Sequence, residues 1–213
     1  MVQETSEAAI PQDVPPTEKA RATRARLIES AAESFVADGY GATSVRELAQ
    51  RSNMTSGAIY GHFSGKANLL GEAVRLRISQ DLEQHVGASY EDNLADWLAH
   101  DLRDYRTRRS LRALLVEGAA AARVDDDVRN LLHDVMQAKL DEWAALYRAT
   151  WEEEGLDPEI DPEALLVLVW SVELGLGVLE ALDIDLPKPG VLSKLVGTLV
   201  GSLSPARRRK RKP

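Results

Sequence analysis

The chain predicts an all-α protein with a small N-terminal domain of three helices and a larger helical domain behind it. Three observations carry that prediction. Long Ala/Leu/Glu/Arg-rich segments dominate, and the alternating β-branched runs that write strands are missing. Hydrophobic residues make up 44% of the 213 positions, enough for one or two cores, although only 5% are aromatic. Residues 43–66 encode two short amphipathic helices back to back, each with its own N-cap, separated by a three-residue turn. There are no internal repeats and no glycine-rich phosphate loop.

Residues 1–16, with Pro11, Pro15 and Pro16, read as a disordered arm. A first helix is expected from about Thr17 to Ala37, burying Leu27, Ile28, Ala31, Ala32, Phe35 and Val36. Asp38-Gly39-Tyr40-Gly41 ends it with turn chemistry. Ser44 and Glu47 form an S-x-x-E capping box that opens the second helix, whose apolar face is Val45, Leu48 and Ala49. Ser52-Asn53-Met54 breaks the pattern, since Ser and Asn favour turns over helix interiors. Thr55 caps a third helix ending near His62, with Met54, Ile59 and Phe63 pointing inward. Residues 17–66 thus form one domain with its motif at 44–63. Ser64 caps a fourth helix reaching about Val86, the one long element expected to link the domains. Helices follow at 92–108, 110–123, 126–154, 162–182 and 189–203, giving a second domain over 67–204. Residues 205–213 are a basic tail after Ser204-Pro205, read either as a solvated tail or as a polyanion tether.

The outer face of the third helix carries Thr55, Ser56, Gly57, Tyr60 and His62, which are small or hydrogen-bonding and uncharged. Such a face is poor for solvation alone and suits a DNA groove. Lys66 and Tyr60 are candidate phosphate contacts, as is Thr43 or Ser44. Arg46 faces outward and could meet guanine in a bidentate pair, or a phosphate. His62 could donate to phosphate or base, or simply close the helix. The third helix has no Arg, Asn or Gln, so the usual bidentate base readers are missing from it. Gly57 and Gly61 each cost about 1 kcal/mol against Ala inside a helix. Close backbone approach at Gly57, contact of Ala58 or Thr55 with a thymine methyl, and shape readout are the expected compensations.

From about Lys19 to about Val74 the chain resembles the DNA-binding domain of the TetR family of bacterial repressors. The resemblance rests on FVADGYGATSV, RELAQRS, a recognition helix ending in IYGHF, and a following Ser-Gly-Lys-x-x-Leu-Leu. At Gly61 that family often has a larger residue. The resemblance implies an all-helical homodimer whose larger domain binds a small molecule and so releases the operator. It also implies a cavity among the helices after the fourth, where Trp97, His100, Tyr105, Trp143, Tyr147 and Trp170 are in range. Trp143 and Tyr147, four apart, share a helical face that is either core or ligand cage. Glu173 is a lone acid in an apolar helix, facing a ligand or a surface groove. With few polar anchors in that segment, a largely apolar effector is expected.

The net charge of -8 becomes compatible with DNA binding once partitioned. Residues 1–16 carry -3, 17–66 carry +2, 67–206 carry -13 and 207–213 carry +6. Positive charge is kept where phosphate is met, and the acidic body discourages indiscriminate coating of DNA. The last two helices are the most apolar. Leu168 and Val172 on one, with Leu192, Leu195, Val196, Leu199 and Val200 on the other, make a stripe at helical spacing. Together they suggest a dimer interface closed as a four-helix bundle. A two-fold dimer would present recognition helices roughly 34–36 Å apart, or somewhat more, to a pseudo-palindrome on double-stranded DNA.

Several classes are disfavoured. Without cysteine there are no disulfides or thiolate metal sites. His62, His85, His100 and His133 lack metal-ligand spacing, and His100-Asp101 and His133-Asp134 diverge by about 100° on a helix. No catalytic residue, metal or cofactor is therefore assigned. The acidic, proline-bearing start is unlike a signal peptide, and the longest apolar run, Ala164 to Val172, is short for a membrane span. The expectation is a cytoplasmic, nucleoid-associated bacterial regulator, a repressor released by its effector. An effector-independent regulator or activator is the alternative, and an enzyme a remote one.

Overall fold

The computed structural model describes residues 17–86, 94–103 and 105–202. Among these the secondary structure is helical throughout, with no strand. α1 (Glu18–Asp38) starts where the Thr17 hydroxyl accepts from Ala20 N and stops at Gly39, whose φ of 84° suits glycine. α2 (Val45–Arg51) and α3 (Ser56–Tyr60) form the expected pair, and α4 (Lys66–Val86) leaves them. The larger domain adds α5 (Leu94–Asp101), a 3-10 turn at Tyr105–Arg108, α6 (Arg109–Ala122), α7 (Asp126–Glu153), α8 (Pro162–Ala181) and α9 (Pro189–Gly201).

The single helix expected over 92–108 is broken after Asp101. Tyr105 is fully buried, its hydroxyl donates to the Pro187 carbonyl at 3.0 Å, and its own carbonyl accepts from Arg112 Nη1 at 2.6 Å. Those bonds hold the segment as a tight turn feeding α6, which local sequence does not announce.

The domain seam expected after residue 66 is not a seam in the packing. One core joins Leu27, Phe35, Leu48, Ile59 and Phe63 of the N-terminal helices to Leu69, Leu70, Ala73 and Val74 of α4. Leu114 of α6 with Val128 and Val135 of α7 closes the same core. Val36, expected to be buried with α1's apolar face, is 37% exposed. A second core gathers Leu94, Leu98, Tyr147, Trp151, Leu165, Leu166 and Val200. α6 crosses α8 so closely that a Cβ on Gly177 would lie 3.0 Å from Arg112 Cβ. By length and composition alone α8 is apolar enough to cross a membrane, although its longest uninterrupted apolar run is short. Its Glu173 and Glu180 are nonetheless held in ion pairs with α6.

Candidate DNA interface and effector cavity

The helix-turn-helix forms because each short helix is stapled at its start. Glu47 N donates to Ser44 Oγ at 3.2 Å while Ser44 N donates to Glu47 Oε2 at 2.8 Å, completing the capping box. The Ser44 hydroxyl donates to the same carboxylate, and these bonds hold Glu47 below the ordinary carboxylate range. Ala58 N donates to Thr55 Oγ1 at 3.2 Å at the head of α3. Asn53 takes a left-handed φ of 54° in the turn between them. Ile59 is fully buried and Phe63 nearly so, while Tyr60 is 58% exposed. Thr55 and Gly57 are exposed, Ser56, Ala58 and His62 half-buried, and Arg46 is exposed on α2. A Cβ on Gly57 would meet nothing closer than Thr55 Oγ1 at 3.9 Å, so nothing in the fold demands glycine there.

Two of the expected phosphate contacts make hydrogen bonds within the protein. Thr43 is 5% exposed and its hydroxyl donates to Gly39 O at 2.8 Å. Lys66 Nζ donates to Tyr40 O at 2.8 Å and Thr43 O at 3.0 Å, and sits 4.1 Å from the centre of the Tyr40 ring. Burial pulls this ammonium below its ordinary pKa, with Asp125 opposing. Thr43 and Lys66 therefore fix the 39–43 turn that aims the motif. The same turn is held from the larger domain, because Tyr40 N donates to Glu117 Oε2 of α6 at 2.9 Å. The Tyr40 phenol is pushed up to about 12, first by burial and then by Asp125 and Asp127, so it stays neutral. α4 is thus not the sole link between domains: α6 reaches the turn directly.

The larger domain encloses a cavity of about 90 Å³ between α4, α6, α7 and α8. Leu111, Leu115, Leu166 and Val169 give it apolar walls. Of the residues expected there, Trp143, Tyr147, Trp170 and Glu173 line it, and the Trp143 and Tyr147 rings meet edge-on at 6.4 Å. Tyr105 does not line it; it is core, and it supports Arg112 from beneath. Trp97 and His100 belong to α5, and their side chains lie outside the described residues. The sequence reading missed an ionic cluster at one side of the cavity. Arg108 pairs with Asp81 at 2.7 Å and Glu173 at 3.3 Å. Arg112, 1% exposed, pairs with Glu173 at 3.2 Å and holds Glu180 through Nε and Nη2 at 2.9 and 2.7 Å. The signal was present: Arg108 and Arg112, four apart, fall on the same helical face as Leu115, and Glu173 and Glu180 are seven apart.

Comparison with known proteins bears on the N-terminal half. The family model described as "Bacterial regulatory proteins, tetR family" matches residues 27–73.

The N-terminal domain belongs to the TetR family.

The chain is 42% identical over 53 residues to the HTH-type transcriptional regulator TtgR of Pseudomonas putida, covering 25% of each protein. It spans between 24% and 48% of the length of the curated relatives it matches. Solved structures extend the fold likeness over both domains. NalD, the secondary repressor of the MexAB-OprM multidrug efflux pump in Pseudomonas aeruginosa, superposes with a TM-score of 0.64 at 20% identity, covering 87% of this chain and 97% of NalD. FadR of Bacillus subtilis, solved with stearoyl-CoA, gives 0.66 at 16% identity, covering 83% and 96%. The fold likeness therefore covers both helical domains, with residues 27–73 the part matched in sequence.

The TetR-like chain also leaves one apolar face uncovered. The stripe expected on the last two helices divides: Val172, Leu192 and Val196 pack on the interior and Val200 is 5% exposed. Leu168, Leu195 and Leu199 stay 59%, 53% and 57% exposed. Val167, Val178, Leu182 and Val191 are exposed with them, on or at the ends of the same two helices. Within this single chain Val172, Leu192 and Val196 are half-buried and Val200 is buried; α9 lays its inner face onto α5, with a Cβ on Gly197 falling 3.0 Å from Ala99 Cβ. Among the described residues no group of His, Asp or Glu is arranged to hold a metal ion.

Proposed function

We propose that this protein is a homodimeric repressor that holds a pseudo-palindromic DNA operator and is released by a small-molecule effector. The observation that carries the reading is the division of α3, which buries Ile59 and turns Tyr60, Thr55 and Gly57 to solvent. A five-residue helix capped by Thr55, packed on α2 and anchored in the core by Ile59 has little reason to expose such a face other than contact. Arg46, exposed beside it, is the candidate guanine reader, and Tyr60, Ser44 and His62 the candidate backbone contacts. The uncovered leucine and valine face on α8 and α9 is the surface a second copy would bury.

Release follows from the second domain. The cavity is smaller than the ~300 Å³ at which drug-sized pockets begin, so an occupant of that size would spread its walls or extend out through its open side. Leu111, Arg112 and Leu115 of the wall stand on α6, the helix that grips Tyr40 N through Glu117. Displacing α6 would move the turn that aims the motif. The apolar walls with one ionic side fit an effector that is largely apolar and carries one polar or charged group. A bacterial cytoplasmic setting accords with this role.

Selection from random duplex DNA tests the reading. Retained sequences should converge on a pseudo-palindrome with half-sites about one helical turn apart. Failure to enrich any motif at low salt would remove DNA recognition as the function.

A further inference from the structure

Beside the recognition motif lies a second polar feature that the motif itself does not use. Thr23, Arg26 and Leu27 of α1 and Ser52, Asn53 and Met54 of the turn before α3 surround an open groove of about 220 Å³. Its cation is unlike its neighbours. Arg24 is paired with Glu72 at 2.9 Å and Arg51 with Asp38 at 2.6 Å, so both charges are balanced within the fold. Arg26 is exposed and makes no ion pair or hydrogen bond with the described residues. Its partners in the groove are donors. Ser52 carries a buried Oγ with no hydrogen-bond partner among the described residues. Asn53, exposed at its left-handed φ of 54°, offers a side-chain amide, and Thr23 a hydroxyl. A guanidinium with hydroxyl and amide donors and no carboxylate lining the groove is the chemistry of a phosphate oxyanion.

We infer that this groove seats a backbone phosphate of the bound duplex, with Arg26 as its cation and Thr23, Ser52 and Asn53 as donors. The inference rests on the DNA-binding reading above. Position selects DNA over a free anion: the turn runs straight into Thr55, the cap of α3. In helix-turn-helix docking the first residues of that helix meet base edges, which brings residues just before it to the strand bordering the groove. The clamp lies outside the outward face of α3 and would fix how deeply that helix enters. It would also supplement a recognition helix that has no cation of its own.

The test is the salt dependence of duplex binding by the full chain. R26A should lower the slope of log affinity against log salt by about 0.9, the contribution of one phosphate. Its affinity should fall by the same factor on the selected operator and on random duplex, and R26E should fall further. Arg129→Ala, on α7, should leave the slope at the wild-type value, and thermal melting should show R26A as stable as wild type. A wild-type slope for R26A, with normal wild-type binding, overturns this inference alone. If the wild-type chain shows no salt-dependent affinity for any duplex, the DNA reading itself falls and the clamp with it.

Discussion

The recognition motif and the cavity domain solve opposite problems with opposite materials. The motif is stapled by contacts three residues apart, Ser44 to Glu47 and Thr55 to Ala58, and its core is apolar. Among the described residues its outward Arg46 and Tyr60 make no ion pair or hydrogen bond, while Ser44 and Thr55 serve as caps. The cavity domain is held by ion pairs between positions 61 and 68 residues apart, Arg112 to Glu173 and Glu180, and its interior keeps space. A surface that must read a constant polymer can be written locally. On the function proposed above, a chamber that opens for an effector would need distant elements whose contacts can be broken and remade.

The sharpest way to break the contrast is Arg112→Ala. It strips both Glu173 and Glu180 of a nearly buried partner, and truncating such a pair typically costs about 3–5 kcal/mol. Urea unfolding should show that loss, and a change under about 1 kcal/mol would mean the cluster is solvated and adjustable. Next comes the uncovered face. Leu195→Asp with Leu199→Asp should convert a dimer to a monomer in sedimentation and weaken operator binding roughly 10²- to 10⁴-fold, the avidity lost with the second half-site. An unchanged sedimentation coefficient would place the interface elsewhere.

Glu117→Ala probes the link between the two regions. It leaves Tyr40 N without its charged acceptor, a bond worth about 1.5–3 kcal/mol. Hydrogen exchange at the Tyr40 amide should accelerate, while Glu117→Gln should retain most of the protection. Equal exchange in all three would show that α6 does not hold the turn. Ser44→Ala is a smaller change, costing about 1 kcal/mol for the lost cap. Its effect should appear in α2 alone, as faster exchange at Glu47. Smallest in stability is Arg46→Ala, exposed and expected to melt as wild type. It should relax preference at one operator position, and equal losses on operator and random duplex would reassign Arg46 to phosphate.

Lys66 illustrates how far local pattern carries. Its place at the head of the fourth helix was legible, and a cation there suggests phosphate. The fold instead brings the 39–43 turn back over it, so its donors meet the Tyr40 and Thr43 carbonyls. Likewise Val172, Leu192, Val196 and Val200 belong to a visible apolar stripe, but which half of that stripe faces inward depends on where α5 lies.

What the sequence determined by itself is therefore everything whose cause is within a few residues. That covers the helices and their caps, the turn at Ser52-Asn53-Met54, the inward triad Met54, Ile59 and Phe63, and the solvent face of α3. Helical periodicity and capping act at spacings of three and four, so they can be read along the chain. Tertiary structure alone decided the break after Asp101, the grip of Glu117 on Tyr40, and the pairing of Arg108 and Arg112 with Asp81, Glu173 and Glu180. Each joins groups from 7 to 82 residues apart, and a buried charge chooses its partner by proximity after packing, not by its neighbours in sequence.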